Sequence, residues 1–185
     1  MGDELERIVI VGTSGAGKST LARQLAARLN YPHIELDGLY WGENWTKSPQ
    51  FLADVTREVE RPSWIIDGNY SSVHEIIWSR ADTIVWLDYS IWVCYWRMVR
   101  RVFQRVFGRE ELWGGNRETL RKQFFSRDSL FVWIYQTHGS RRQKFRQFRQ
   151  NNTYPHLTWI HHPTPRAAKR WLKQVTAQSP SHPAG

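Results

Sequence analysis

Apolar residues along the chain alternate between two periods, and the alternation sets out a series of strands and helices. Arg7 to Val11 is a short β-branched run closed by Gly12, the pattern of a buried strand feeding straight into a glycine-rich loop. Leu21, Ala22, Leu25, Ala26 and Leu29 then recur at helical spacing, so Gly17 to Leu29 is expected to lay one apolar face on a sheet. A second strand is predicted from His33 to Leu36, ending at Asp37-Gly38. Ser48 and Pro49 mark an N-cap and first helical residue for a helix running to about Glu60. Trp64 to Ile66 gives a third strand ending at Asp67-Gly68, and Ser72 with Glu75 has capping-box spacing for a short helix to about Arg80. Thr83 to Leu87 is the fourth strand. A long helix is expected from Ile91 to about Val106, broken near Gly108 and at Gly114-Gly115. Helical signals return at Glu118 and near Asp128, followed by a basic stretch from Arg141 to Arg149. Leu157 to Ile160 is the fifth strand, Thr164-Pro165 opens a last helix to Val175, and the Ser- and Pro-rich end from Gln178 reads as a disordered tail.

Strands that alternate with helices imply an α/β fold, a parallel sheet covered on both faces by right-handed crossovers. In such sheets ligands gather at the carboxyl ends of the strands. Gly12 to Ser19, Asp37 and Asp67 are therefore expected along one edge, although they are distant in sequence. At 185 residues the chain fits one domain, placed at residues 1–177 with a tail at 178–185.

Composition narrows the class of protein. Neither disorder nor a collagen-like repeat fits 41% apolar and 23% charged residues. One cysteine, Cys94, neither staples the fold nor completes a thiolate metal site, and its apolar neighbours suggest a buried thiol in a reducing compartment. Acidic residues Asp3, Glu4 and Glu6 stand where a signal peptide needs basic charge, and arginines at 97, 100 and 101 interrupt the best apolar run, so a cytoplasmic protein with no membrane span is expected. The net charge of +9 is unevenly divided. Residues 1–90 carry 8 Lys+Arg against 13 Asp+Glu, a net of −5, and residues 91–185 carry 18 against 4, a net of +14. The basic half calls for an anionic partner: polyphosphate, nucleic acid or acidic membrane.

The segment Gly12-Thr13-Ser14-Gly15-Ala16-Gly17-Lys18-Ser19 chooses among these, because each position has a task. Its glycines let backbone amides wrap a phosphate, and the start of the following helix adds positive potential. Lys18 is positioned to bridge the β- and γ-phosphates, Ser19 to offer a hydroxyl to Mg2+, and Thr20 to support the α-phosphate. ATP, or GTP, with Mg2+ is the expected ligand. Three strand ends supply a carboxylate: Asp37, Asp67 and Asp88. Topology favours Asp67 as the water-mediated Mg2+ partner and leaves Asp37 to orient or deprotonate an acceptor hydroxyl, while Asp88 has the same local pattern; Asp-Gly is also a common turn pair.

The order of phosphate loop, Asp67-Gly68, strand-Asp88 and an arginine-bearing helix resembles the adenylate-kinase-like small P-loop kinases over residues 7 to 175. Within them, Leu36-Asp37-Gly38-Leu39-Tyr40-Trp41, Ile66-Asp67-Gly68-Asn69-Tyr70 and Glu111-Leu112-Trp113-Gly114-Gly115-Asn116-Arg117-Glu118 are similar to the subfamily labelled topology-modulation or FlaR-like. The resemblance implies a three-layer P-loop sandwich with strand order 2-3-1-4-5 and an arginine-rich lid around residues 105–127, in a kinase that moves the γ-phosphate of ATP to a small acceptor, a nucleotide or nucleoside by default. Adenylate kinases follow Asp-Gly with Phe-Pro-Arg, whose arginine clamps the acceptor monophosphate; Asn69-Tyr70-Ser71 stands here, which also admits a sugar-like hydroxyl acceptor. By the same resemblance Arg97 stacks on adenine and Arg101 contacts the transferred phosphoryl group. Arg105 shares the face of Arg101, and Arg117 and Arg121 are placed to close over the phosphates.

The aromatic excess has two readings. Trp41, Trp45, Trp113 and Trp133 fall in or near loops and could stack on a base or a ring-shaped acceptor, whereas Trp64, Trp86, Trp92, Trp96 and Trp171 are expected to pack. The stretch from Arg141 to Arg149 interleaves cations with Phe145 and Phe148, which more simply anchor a helix whose arginines stay wet. A nucleic-acid-associated NTPase is the alternative that this stretch keeps open. His161-His162 lack partners at metal spacing and are expected in a loop near the nucleotide base. Oligomeric state is left open.

Overall fold

The computed structural model describes residues 5–108 and 130–175. Among them β1 (Arg7–Gly12), β2 (His33–Glu35), β3 (Trp64–Asp67), β4 (Thr83–Leu87) and β5 (Thr158–His162) pair in parallel, in the order β2-β3-β1-β4-β5. The connecting helices are α1 (Lys18–Leu29), α2 (Leu36–Tyr40), α3 (Phe51–Glu58), α4 (His74–Trp78), α5 (Ile91–Gly108), α6 (Leu130–Gln150) and α7 (Pro165–Gln174).

Both faces of the sheet are dry, which is why its strands read as continuous apolar runs. Odd positions of β1, Val9 and Val11, join Ile66, Ile84 and Trp86 under Val55 of α3, Trp78 of α4 and Phe145 of α6. Even positions, Ile8 and Ile10, join Ile65, Val85 and Leu87 under Leu21 and Leu25 of α1 and Leu172 of α7. A smaller cluster of Met98, Val102 and Ile134 clamps α5 to α6. No described helix is long and apolar enough to cross a membrane.

Several expected boundaries move for identifiable reasons. Asp37 and Gly38 do not end a strand: β2 stops at Glu35, buried Leu36 turns inward, and both residues lie in the short helix α2. The helix expected from Pro49 begins at Phe51, with the Ser48 hydroxyl accepting from the Gln50 amide at 3.3 Å. Ser72 and Glu75 do not form a capping box, because a 3-10 turn over Ser71–Val73 takes the place of the first helical turn. Thr164 does cap α7, its hydroxyl accepting from the Ala167 amide at 3.2 Å ahead of Pro165. β5 runs two residues further than expected and takes in His161 and His162, so these are strand residues and not loop residues.

Trp64 and Trp86 are buried as expected, and so is Cys94. Trp92 and Trp96 are not: they are 78% and 73% exposed. The buried stripe of α5 is Cys94, Met98 and Val102, and residues two positions away from such a stripe project to the opposite side of a helix. α5 runs to Gly108, while Trp113, Gly114-Gly115, Arg117, Arg121 and the tail lie outside the described residues, as does the side chain of Trp133.

Candidate active site

β1 delivers the chain to Gly12 at the carboxyl edge of the sheet, and α1 starts six residues later at Lys18. Between them Thr13, Ser14, Gly15, Ala16 and Gly17 form a tight loop, with the Ala16 amide donating to the Thr13 carbonyl at 3.0 Å. Gly15 has φ +82° and lies so close to α5 that a β-carbon would strike the Cys94 carbonyl oxygen. Gly17 caps α1 in the left-handed region, at φ 93°, and contributes no side-chain cap. The first amide in the helical ladder is Leu21, which donates to the Gly17 carbonyl, so the amides of Lys18, Ser19 and Thr20 precede it. No acidic residue sits in the first turn to neutralise this positive end.

Lys18 reaches back over the loop, its Nζ 3.5 Å from the Thr13 carbonyl oxygen. Burial pushes its pKa down. Asp67 and Asp37 pull it back up, and Arg141 and Arg101 lower it further. A polyphosphate placed here would offset the cost of that desolvation by pairing with the ammonium. The Ser19 hydroxyl donates to Asp67 Oδ1 at 2.9 Å. The other Asp67 oxygen is 2.7 Å from His33 Nε2, and the carboxylate is almost wholly buried. Asn69, two residues on, donates from Nδ2 to the Gly12 carbonyl at 2.6 Å and so ties the end of β3 to the loop.

Asp88 resembles Asp67 in sequence but has a different occupation. Its oxygens meet Arg142 Nε at 2.6 Å and His161 Nε2 at 3.0 Å, so it ties α6 to β5. Of the three candidate acids, Asp67 is the one bonded to Ser19.

Asp37 lies in the first turn of α2 and accepts from the Tyr70 hydroxyl at 2.6 Å. Burial and the Asp37 charge push the Tyr70 pKa upward, so the phenol stays a donor. Tyr40 packs on the Tyr70 ring at 4.5 Å, Trp41 on Tyr40 at 4.7 Å and Trp45 on Trp41 at 5.7 Å, an aromatic wall running outward from Asp37.

Cations arrive from α5 and α6. Arg97 donates from Nη1 to the Ala16 carbonyl at 2.7 Å and lies over the Tyr89 ring, bracing the loop. Arg101 donates to the Met98 sulfur at 3.0 Å, and its charge is felt at Lys18. Arg105 belongs to α5, but its side chain, like all of Arg117, lies outside what is described. From α6, His138 Nδ1 is 2.9 Å from the Thr13 hydroxyl. Burial lowers the pKa of Arg141, and Asp37 and Tyr70 oppose that shift. His138, Arg141 and Arg142 were not singled out by sequence as site residues, and neither were His33 and Tyr70. A signal for the first three existed. Phe145 and Phe148 are buried or half-buried anchors of α6, and carrying their stripe back by turns of three and four residues reaches Arg142, Arg141 and His138.

The arrangement fits a magnesium nucleotide. The amides of Lys18, Ser19 and Thr20 precede the helical ladder with no acid to neutralise them, and Ser19 and Asp67 present oxygen donors of the kind Mg2+ takes, side by side.

Comparison with known proteins agrees with the fold. The AAA domain family model AAA_28 matches residues 7–154. The chain is 30% identical over 131 residues to the uncharacterized protein YqaC of Bacillus subtilis strain 168, covering 68% of this chain and 72% of that one. Among solved structures it superposes on a shikimate kinase from Acinetobacter baumannii in complex with shikimate with a TM-score of 0.53, 14% identity and coverage of 93% and 91% of the two chains. A gluconokinase from Sinorhizobium meliloti 1021 gives 0.51, 19% identity and coverage of 92% and 93%. A deoxyadenosine kinase from M. mycoides, solved with its product dCMP, gives 0.51, 14% identity and coverage of 90% and 94%. With the phosphate loop, the strand order and a family match over most of its length in agreement, the chain belongs to the AAA_28 family of AAA domains, built on the α/β P-loop NTPase fold.

Proposed function

We propose that this protein is an ATP-dependent kinase that transfers the γ-phosphate to a hydroxyl of a small acceptor, with nucleotides and nucleosides the first class to test. The observation that carries this reading is the electrostatic coupling of Lys18 to a second carboxylate, Asp37, which also couples to Arg141 of α6, beside the Ser19–Asp67 pair. A phosphate loop that only hydrolyses ATP has no need of an acid and a cation set apart from its metal ligands next to an aromatic wall. A kinase uses such a corner to hold the acceptor.

In this reading the loop amides and Lys18 hold the β- and γ-phosphates, Arg97 keeps the loop in shape, and Thr20 supports the α-phosphate. Ser19, and Asp67 through water, would hold Mg2+, which when bound supplies charge neutralisation between the phosphates. Asp37, fixed by Tyr70, orients the acceptor hydroxyl and takes its proton as the oxygen attacks the γ-phosphorus and the bond to the β-phosphate oxygen breaks, leaving ADP. Arg101, with Arg105 and Arg117, offsets the charge that builds on the transferred group. Arg141 and the wall of Tyr40, Trp41 and Trp45 suit an acceptor that carries a ring and an anionic group. Asn69-Tyr70-Ser71 in place of the Phe-Pro-Arg clamp is the reason to include non-nucleotide acceptors.

The test is ADP release from Mg·ATP across nucleoside monophosphates, nucleosides, small hydroxyl compounds and DNA, with Lys18→Ala in parallel. Stimulation by one small acceptor, abolished by Lys18→Ala, is the expected result. A second reading, a nucleic-acid-associated NTPase, draws on the exposed face of α6, where Lys144, Arg146 and Arg149 stand in solvent. Turnover stimulated by DNA alone and falling steeply with salt would replace the kinase reading with it.

A further inference from the structure

We propose that His33, Glu35 and Asp67 form a second divalent-cation site, of the class that takes Zn2+ or Mn2+, which fills without nucleotide. Alternation along β2 puts His33 and Glu35 on one face, and the register of β2 on β3 sets Glu35 opposite Asp67. One ligand atom from each of the three lies within 4.8 Å of the others. Metal–ligand bonds of about 2.0–2.2 Å separate neighbouring ligand atoms by about 3–3.6 Å, so side-chain rotations of about 1 Å close the site around an ion.

Electrostatics favours an ion at this point. Two carboxylates converge here, with side-chain exposures of 6% for Asp67 and 25% for Glu35. Arg23 faces Glu35 at 3.8 Å with 74% of its side chain in solvent, a weak and easily displaced ion pair. His33 is 15% exposed and its Nε2–H donates to Asp67 Oδ2 at 2.7 Å, so an ion takes the place of that proton once the two groups part to about 3 Å. Ligand chemistry then selects the ion. One imidazole and two carboxylates suit Zn2+, Mn2+ or Co2+, whereas Mg2+ prefers an all-oxygen octahedron. The site uses Asp67 Oδ2 and leaves Oδ1 to Ser19, so it is separate from the Mg2+ position of the kinase reading, and its binding is measured without substrate.

The experiment is titration of the nucleotide-free full-length protein with Zn2+ against a chromogenic chelator, with Co2+ absorption as a second readout of an imidazole-containing site. One Zn2+ per chain is expected, retained in millimolar Mg2+. Loss of a ligand in His33→Gln or Glu35→Gln should weaken it at least about tenfold, whereas Arg23→Ala tightens it and His156→Gln, on the other side of the sheet, leaves it unchanged. Circular dichroism establishes that each variant is folded. Absence of Zn2+ binding by the wild type, or full affinity in both folded ligand variants, would overturn the proposal.

Discussion

A methyl group at Gly15 would land on the Cys94 carbonyl oxygen, in backbone that already has φ +82°. Gly15→Ala therefore combines left-handed strain, about 1–2 kcal/mol, with overpacking of about 1–3 kcal/mol, and the force falls on the helix that carries Arg97. Thermal melts should show lower stability and the loss of any shift with Mg·ATP. Gly139→Ala is the counterpart: nothing lies within 4 Å of its would-be β-carbon in an exposed helix interior, and the change should stabilise by about 0.5–1 kcal/mol. Ser19 and Asp67 give a second contrast at this scale. In the wild type, EDTA should reduce the ATP-induced rise in melting temperature. In Ser19→Ala and Asp67→Asn the rise should be smaller and no longer respond to EDTA, and a response equal to wild type would remove these residues from the metal position. The loop and its acids were readable in the sequence because their task is local: glycines, a lysine and a serine at fixed spacing, and an acid at the end of an apolar strand. The hydrogen bonds of His33 to Asp67 and Tyr70 to Asp37 were not readable, since they span 34 and 33 residues and depend on strand register and on where α2 turns.

At the scale of elements, strands were easy to read and the short helices were not. A strand buried on both faces leaves an apolar run of its own length, whereas α2 and α4, five residues each, are set by the neighbours they pack on and not by intrinsic propensity. α4 illustrates this. Its His74 packs at 3.9 Å on Trp78 and 5.1 Å on Phe148 of α6, with Tyr154 at 5.9 Å. Burial, helped by Lys144, pushes the imidazole pKa down from 6.5 to about 4. The folded protein thus holds His74 neutral where the unfolded chain binds a proton. This contribution to stability is present above pH 6.5 and is lost as pH falls from 6.5 towards 4. His74→Phe keeps the aromatic packing and removes the titration. Its stability should decline less than that of the wild type between pH 7 and 4.5, as measured by urea unfolding at each pH; parallel declines would show that His74 does not titrate in this window.

At the scale of the whole molecule, the uneven charge is partly resolved by folding. The basic half carries +14 and the first half −5, and α6 crosses to the carboxyl edge of the sheet with cations that meet the acids of the first half. Arg142 pairs with Asp88 after β4, Arg141 answers Asp37 in α2, and His138 reaches Thr13 in the loop. A helix that touches the phosphate loop and Asp88, and whose Arg141 feels the charge of Asp37, links the nucleotide side of the site to the acceptor side. The strength of that link is open to measurement at its most buried pair. Asp88 has 3% of its side chain exposed, so Arg142→Ala leaves a carboxylate in a dry place with His161 as its remaining partner. Breaking a fully buried pair from one side costs about 3–5 kcal/mol. Because Arg142 is itself 40% exposed and water can follow the truncation, a cost of about 1–3 kcal/mol is expected here. Asp88→Asn keeps the shape and removes the charge, so in the double variant the loss of Arg142 should cost less, a coupling of about 0.5–3 kcal/mol in urea unfolding. High salt should reduce that coupling only in part, since Asp88 is buried while Arg142 is 40% exposed. Coupling near zero would mean that the Arg142–Asp88 pair adds nothing to the packing of Ile134, Phe145 and Phe148 that holds α6.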